Sequence, residues 1–209
     1  FYRRPRIPRD VLAKHREGII VGSACEAGEV YQAALKNAPN LAEIAKFYDY
    51  LEVQPLGNNE FLIGTEYVKT AECLKNINRK IIALGKDLNI PVIATGEVHF
   101  LRPEDSLYRT ILLMGQGFED AERQAPLYFR TTEEMLEEFN YLEPDLAEEI
   151  VITNPNKLAD EFEDLTPIPQ GLHPPIIPEA EESLKALCYK TAKELYGDPL
   201  PELVEKRLN

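Results

Sequence analysis

Apolar residues in the first hundred positions fall into short continuous runs separated by longer helical stripes. The short runs predict buried strands because each is bounded by glycine, proline or polar residues. They lie at 19–21, 49–53 and 91–95. Between the second and third runs, apolar residues recur every three or four positions, which predicts a long amphipathic helix over about 67–88. With shorter helices at about 28–37 and 41–47, this order predicts an α/β fold with a parallel sheet.

Helical signals dominate after Phe100. Pro103 opens a helix predicted to turn four apolar side chains inward. These are Leu107, Tyr108, Ile111 and Leu112. Thr131 followed three residues later by Glu134 forms a capping box that predicts the start of another helix. A later helix, ended by Gly197, carries one apolar side. That side consists of Leu184, Leu187, Cys188, Thr191, Ala192 and Leu195.

These changes of pattern divide the chain into four predicted segments. The α/β part covers 1–102 and begins with a basic, proline-containing arm at 1–10. A helical extension follows over 103–164. Five prolines among the fourteen residues 165–178 predict an extended connection, and 179–209 return to helices.

Charge is distributed unevenly along the 209 residues, whose net charge is −13. Twelve acidic residues lie in 133–164 against one basic residue, Lys157. The first sixteen residues carry six basic side chains against Asp10 alone. We interpret each block as a solvated face, so the net charge does not by itself exclude nucleic-acid contact elsewhere.

Cysteine usage and hydropathy indicate a cytoplasmic protein. The three cysteines have no CxxC spacing, which argues against a disulfide framework and against a zinc knuckle. No apolar stretch approaches the roughly 20 residues of a membrane span, and no signal peptide opens the chain. We therefore expect no membrane partner.

The ends of the predicted strands carry the candidate chemistry, as is usual in parallel α/β architectures. These ends supply Cys25, Glu52, and Glu97 with His99. In an extended segment, residues two apart point to the same side, so Glu97 and His99 can converge on one point. A carboxylate and an imidazole suit zinc, manganese or iron, and a thiolate shifts the preference toward zinc.

A structural interpretation of the same residues stays open. The Glu-x-His spacing recurs by chance, and Cys25 suits a small buried position. His15 and His173 are isolated and are interpreted as structural. No phosphate-binding glycine loop and no serine or cysteine nucleophile with a histidine partner is present, so no catalytic residue is assigned.

Five stretches, in order, resemble the PolC-type DNA polymerase III family. They are Val21–Val30, Phe47–Pro55, Ile90–Leu101, Tyr128–Leu136 and Tyr196–Pro201. The first and third resemble metal-binding segments of the PHP (polymerase and histidinol phosphatase) domain, and the second resembles the intervening strand. The last two resemble the connection into the polymerase palm. The chain is thus identified as the C-terminal part of a PHP domain with its helical connection.

The resemblance implies a partial, distorted (β/α) barrel and a metal pocket at its strand ends. Cys25, Glu97 and His99 occupy positions where the family places metal ligands, although its members more often carry asparagine or aspartate in place of Glu97. Glu52 is expected near the pocket without being a ligand. The implied ion is zinc or manganese, and the parent polymerase would use magnesium.

The family also implies parts that this sequence lacks. The opening His-x-His segment, the proofreading exonuclease and the paired palm aspartates are absent, so the chain is expected not to polymerise DNA alone. Its expected partners are the remainder of the same polymerase chain and, through that parent, DNA and replisome proteins. Two alternatives stay open: a stand-alone PHP phosphoesterase using a metal-bound water, and an interaction module that uses the acidic region 133–164.

Overall fold

The computed structural model describes residues 6–118, 121–168 and 170–208. Half of the predicted basic arm (1–5), Pro169 of the predicted connection and Asn209 lie outside these residues. Two strands are β1 (Leu51–Val53) and β2 (Val92–Ala94). The α-helices are α1 (Arg9–Lys14), α2 (Glu29–Leu35), α3 (Leu41–Ala45), α4 (Ala71–Leu88), α5 (Ser106–Gly115), α6 (Thr132–Glu138), α7 (Pro144–Glu148), α8 (Asn154–Ala159), α9 (Ala180–Tyr196) and α10 (Glu202–Leu208). Two 3-10 helices (Leu56–Leu62 and Pro103–Asp105) and a π-helical segment (Glu149–Thr153) complete the described elements.

The two strands pair in parallel, with Leu51 opposite Val92 and Val53 opposite Ala94. This confirms the predicted α/β fold with parallel strands. The predicted strand at 19–21 is wrong. Only the next residue, Gly22, forms a single parallel bridge, to Tyr50. The partial, distorted (β/α) barrel that the resemblance implies stays a prediction.

Side-chain hydrogen bonds explain why pairing next to β1 stops after one bridge. The Val21 amide donates to the Asp49 carboxylate at 2.6 Å, and the Glu52 amide donates to the Ser23 hydroxyl at 2.8 Å. Side-chain oxygens therefore accept bonds that backbone carbonyls accept in a regular ladder. Ala24 then adopts a left-handed φ of 61°, which turns the chain away from the strand direction.

Helix α4 connects the strands and covers one face of the sheet, as the apolar stripe predicts. Leu74, Ile77 and Ile81 are buried in the core. Close approach of the helix to β2 requires glycine at position 85, where a Cβ would overlap the Val92 side chain and lie 2.8 Å from the Ile90 carbonyl. The core is thus built around the β1–α4–β2 unit.

The outer edge of β2 is covered by the π-helical segment and α8. Ile150 of the π-helical segment is buried in the core, together with Phe139. The buried Asn154 side chain donates to the Val92 carbonyl at 3.0 Å. These contacts fix the acidic helical region against the sheet.

Helix α1 is held by arginine contacts, and none of its residues is buried. Arg9 forms an ion pair with Glu29 and lies 4.1 Å from the centre of the Phe47 ring. Arg16, just beyond α1, lies 5.2 Å from the centre of the same Phe47 ring and forms an ion pair with Asp49 at 2.6 Å. These two cations of the basic N-terminal block are therefore engaged within the protein.

The inward orientation predicted for the apolar residues of α5 is wrong. Leu107, Tyr108, Ile111 and Leu112 are 61%, 65%, 57% and 65% exposed. They do share one side of the helix, as their spacing predicts, but no described element covers that side. Spacing identifies an apolar face, whereas its burial depends on which element packs against it.

The capping box at the start of α6 is confirmed. The Thr131 amide donates to the Glu134 carboxylate at 2.8 Å, and the Glu134 amide donates to the Thr131 hydroxyl at 3.3 Å. The helix begins at Thr132 because both backbone donors are satisfied there.

The chain forms two compact units, Phe1–Glu163 and Asp164–Asn209. The second contains α9 and α10, and its described residues bury only Ala192. The apolar side predicted for α9 faces α10, since Leu187, Cys188, Thr191, Ala192 and Leu195 line the groove between the two helices. Among the described residues, no helix combines the length and apolar character needed to cross a bilayer.

Candidate metal centre

Three side chains of types that can bind a metal ion converge where the strands end. The Cys25 sulfur and carboxylate oxygens of Glu26 and Glu97 lie within 4.8 Å of one another, and all three residues are half-buried. Cys25 follows the single bridge at Gly22, and Glu97 follows β2. The structure thus brings together two of the predicted ligands, Cys25 and Glu97, and adds Glu26.

His99 lies at the margin of this group. Its Nε2 atom is 3.9 Å from Glu97 Oε1, and its side chain is 43% exposed. Its backbone amide donates to the Leu127 carbonyl at 2.8 Å, which anchors this segment to the chain near residue 127. His99 is close to Glu97 but outside the mutually close set, and its role as a ligand stays a prediction.

The backbone is in an uncommon conformation on both sides of the centre. Ala24 and Glu97 have left-handed φ values of 61° and 50°. This region costs a residue with a side chain about 1–2 kcal/mol, and such strain concentrates at functional sites. The Gln54 amide nitrogen supports the turn by donating to Glu97 Oε2 at 3.0 Å, and the Asn58 side chain donates to the Gly96 carbonyl at 3.1 Å.

The loop that carries Cys25 is folded tightly onto the start of α2. The Gly28 amide donates to the Cys25 carbonyl at 2.9 Å. A Cβ at position 28 would overlap the Ser23 carbonyl and lie 3.0 Å from the Cys25 carbonyl. Glycine at this position therefore permits the loop to place the Cys25 thiol beside Glu26 and Glu97.

Glu52 connects the two sides of the centre without joining the ligand group. Its Oε1 accepts from the Ala24 amide at 3.1 Å, and its Oε2 accepts from the Thr95 hydroxyl at 3.0 Å. One carboxylate in β1 thereby holds the loop before Cys25 and the segment before Glu97. This agrees with the expectation that Glu52 lies near the pocket, and its two hydrogen bonds make it a positioning residue.

The local electrostatics disfavour a thiolate in the absence of a cation. Burial raises the pKa of the Cys25 thiol, and the neighbouring Glu26 and Glu97 charges raise this pKa further, against a backbone hydrogen bond at Ala27 that lowers it. A divalent ion would neutralise this concentration of negative charge. A thiolate with two carboxylates is a donor set that zinc accepts, so these residues fit the implied ion.

Alignments with known proteins span the entire chain. Proteins named DNA polymerase III PolC-type from Caldanaerobacter subterraneus subsp. tengcongensis and Clostridium perfringens align over 211 positions at 57% and 50% identity. The Halalkalibacterium halodurans protein of the same name is 50% identical over 212 positions. The chain is homologous to a segment of PolC-type DNA polymerase III.

This finding confirms the resemblance to PolC-type DNA polymerase III. The chain is covered completely by each of these alignments but spans only about 15% of the length of each relative. No protein-family model matches the chain.

Several polar residues beside the centre of this PolC-type segment were not predicted from the sequence. Three amide residues, Gln54, Asn58 and Asn59, are buried. The side-chain oxygen of each has no hydrogen-bond partner within the part of the chain that the structure describes. Glu26 was likewise not predicted from the sequence, and the structure adds it to Cys25 and Glu97. Amides clustered directly after a predicted strand are the sequence signal for such a group, since strand ends collect functional side chains.

Proposed function

We propose that this chain forms the C-terminal part of a PHP domain, and its helical connection toward the palm, within a PolC-type replicative DNA polymerase. The observation that carries the proposal is the alignment of the entire chain, at 50–57% identity, with three proteins of that name. The parent would carry out template-directed DNA synthesis by magnesium-assisted nucleotidyl transfer. Its partners would be the remainder of the polymerase chain, DNA and replisome proteins, in the cytoplasm.

The proposed task of the strand-end centre is to bind a divalent ion, zinc or manganese. Cys25, Glu97 and His99 would hold the ion, and the position of Glu26 makes it a further candidate. The bound ion would supply positive charge that links the two strand-end loops. Glu52 and Gln54 would orient these loops through their hydrogen bonds to Ala24, Thr95 and Glu97.

We propose that the 209-residue chain has no polymerase centre of its own. Nucleotidyl transfer by two metal ions requires a cluster of carboxylates around both ions. Among the described residues, only Cys25, Glu26 and Glu97 bring three metal-binding atoms within 4.8 Å of one another. This set suits one ion, and it lacks the further ligands that a tightly bound ion needs.

Primer extension tests the polymerase assignment. A full-length polymerase containing this sequence should extend a primed template with magnesium, and the 209-residue protein should give no product. Extension by the 209-residue protein, or none by the full-length protein, would contradict the proposal.

Metal analysis tests the centre separately. We expect the 209-residue protein to hold less than one zinc or manganese ion per chain after dialysis, and Cys25→Ser, Glu97→Gln and His99→Gln each to weaken binding about 10-fold or more. The chain offers a matched control for each residue type in Cys188→Ser, Glu66→Gln and His173→Gln, which should bind like the wild type. Stoichiometric zinc that survives dialysis would show that the ligand set is more complete than proposed.

A further inference from the structure

One side of α5 is apolar and uncovered. We call Leu107, Tyr108, Ile111 and Leu112 the α5 face; each is more than half exposed. Met114, within α5, is also exposed, as are three large apolar side chains outside the helix. These are Leu101, Phe118 and Phe129. Contiguous apolar surface of this kind marks an interaction site more often than isolated exposed residues do.

The stability of α5 also calls for a packing partner. The helix has ten residues, and none of them is buried. Isolated helices of this length are marginal in water, and helices in proteins derive most of their stability from an apolar face packed against other elements. The α5 face is therefore expected to be covered when the helix is in its functional setting.

The chemistry of the face restricts what covers it. The four residues of the α5 face carry no charge, and Arg109, the single basic residue of α5, donates to the Gln124 side chain. Contact with DNA requires lysine and arginine for the phosphates. A helix lying on a membrane surface carries cations along its polar side. An uncharged aliphatic and aromatic face instead suits a permanent protein interface, because permanent interfaces are more apolar than transient ones.

We infer that the α5 face is the surface on which the remainder of the PolC-type polymerase chain packs. The inference rests on the proposed function and specifies where the parent chain makes contact. The occupant follows from the comparisons, since the matched segment is about 15% of each relative and the remaining length belongs to the same polypeptide. A permanent intrachain partner accounts for the absence of charge on the face.

Hydrogen exchange tests the contact directly. Amide exchange of residues 106–115 is measured by mass spectrometry in the 209-residue protein and in a full-length polymerase that contains it. We expect exchange in the full-length protein to be at least about 10-fold slower. Equal exchange in the two proteins would overturn the inference.

Charged substitutions give an independent test with a matched control. Leu107→Glu and Ile111→Glu should leave the melting temperature of the 209-residue protein unchanged, because both positions are exposed there. In the full-length protein they should lower the melting temperature and restore fast exchange of α5. Phe61→Glu alters an apolar residue of similar exposure, 63% against 61% for Leu107, outside the α5 face. A similar loss with Phe61→Glu would argue against a specific contact.

Two further readouts separate this inference from its alternatives. Sedimentation of the 209-residue protein tests whether a second copy covers the α5 face. The inference would be overturned by a dimer that Ile111→Glu dissociates, together with equal exchange of α5 in the 209-residue and full-length proteins. Primer extension by the wild-type full-length protein tests the proposed function itself. Active polymerase with an exposed α5 would contradict only the interface.

Discussion

Glu52 is the residue on which the strand-end centre depends most directly. Its carboxylate accepts hydrogen bonds from the Ala24 amide and from the Thr95 hydroxyl, at 3.1 and 3.0 Å. These donors lie on the two chain segments that carry Cys25 and Glu97. Although Glu52 is not itself in the ligand group, it fixes the distance between two residues that are.

Replacing Glu52 by alanine should therefore loosen both loops. We expect Glu52→Ala to lower the free energy of unfolding by about 1–3 kcal/mol, because the half-buried Thr95 hydroxyl and the exposed Ala24 amide both lose a charged acceptor, and to weaken metal binding. Urea denaturation measures the first effect and metal titration the second. Glu52→Gln retains a side-chain oxygen for the Ala24 amide and should show a smaller loss. Equal stability of Glu52→Ala and the wild type would show that these bonds contribute nothing to the fold.

The residue scale also shows how far sequence reasoning about the site extends. The structure places Cys25 and Glu97 together, as the strand-end argument predicts, although a single bridge at Gly22 and not a full strand precedes Cys25. The argument that paired Glu97 with His99 assumed an extended backbone, in which alternate residues point the same way. The left-handed φ of Glu97 interrupts that alternation, as does that of Ala24 on the opposite loop. Nothing in an alanine or a glutamate signals such a conformation.

At the level of elements, the contact between α4 and β2 depends on Gly85. Alanine favours a helix over glycine by about 1 kcal/mol, so Gly85→Ala would stabilise α4 if the surroundings allowed it. They do not, because the new Cβ would overlap the Val92 side chain and approach the Ile90 carbonyl to 2.8 Å. Overpacking of this kind costs about 1–3 kcal/mol.

We expect Gly85→Ala to be destabilising overall, as measured by thermal denaturation. The chain provides a matched control in Gly115→Ala at the end of α5, where a Cβ would have no neighbour within 4 Å. That substitution should be neutral or slightly stabilising. A higher melting temperature for Gly85→Ala would show that the helix can move away from β2 at little cost.

Elements with local causes were predictable, and elements with distant causes were not. The start of α6 follows from Thr131 and Glu134, two residues three positions apart that satisfy each other's backbone donors. The apolar stripe of α4 follows from its own sequence. The failed strand at 19–21 depends instead on Asp49 and Ser23, whose side-chain oxygens accept from the backbone amides of Val21 and Glu52 in place of ladder carbonyls. Tertiary context decides such cases.

At the scale of the whole molecule, the second unit begins with an exposed, proline-rich segment. The described residues from Leu165 to Pro178 are exposed, including Leu165, Ile168 and Leu172. The second unit buries only Ala192 of its described residues, too little to resist unfolding by itself.

Limited thermolysis should therefore cut within 165–178 first and leave a resistant product that ends near Glu163. The second unit should be degraded further, because it lacks a buried core. Leu172→Ser should slow cleavage at that position and leave the melting temperature unchanged, since Leu172 is 96% exposed. Mass spectrometry of the products identifies the sites. Initial cleavage inside α4 would contradict this account.

The edge of the small sheet bears on how the protein behaves at high concentration. An open strand edge is a template on which another chain can add a strand, and this is a common route to aggregation. Because the Asn154 amide already occupies the Val92 carbonyl, an incoming strand would have to displace a buried side chain to bind at that position. Asn154 thus adds to the cover that the π-helical segment and α8 give β2 against misassembly, a role unrelated to metals or polymerisation.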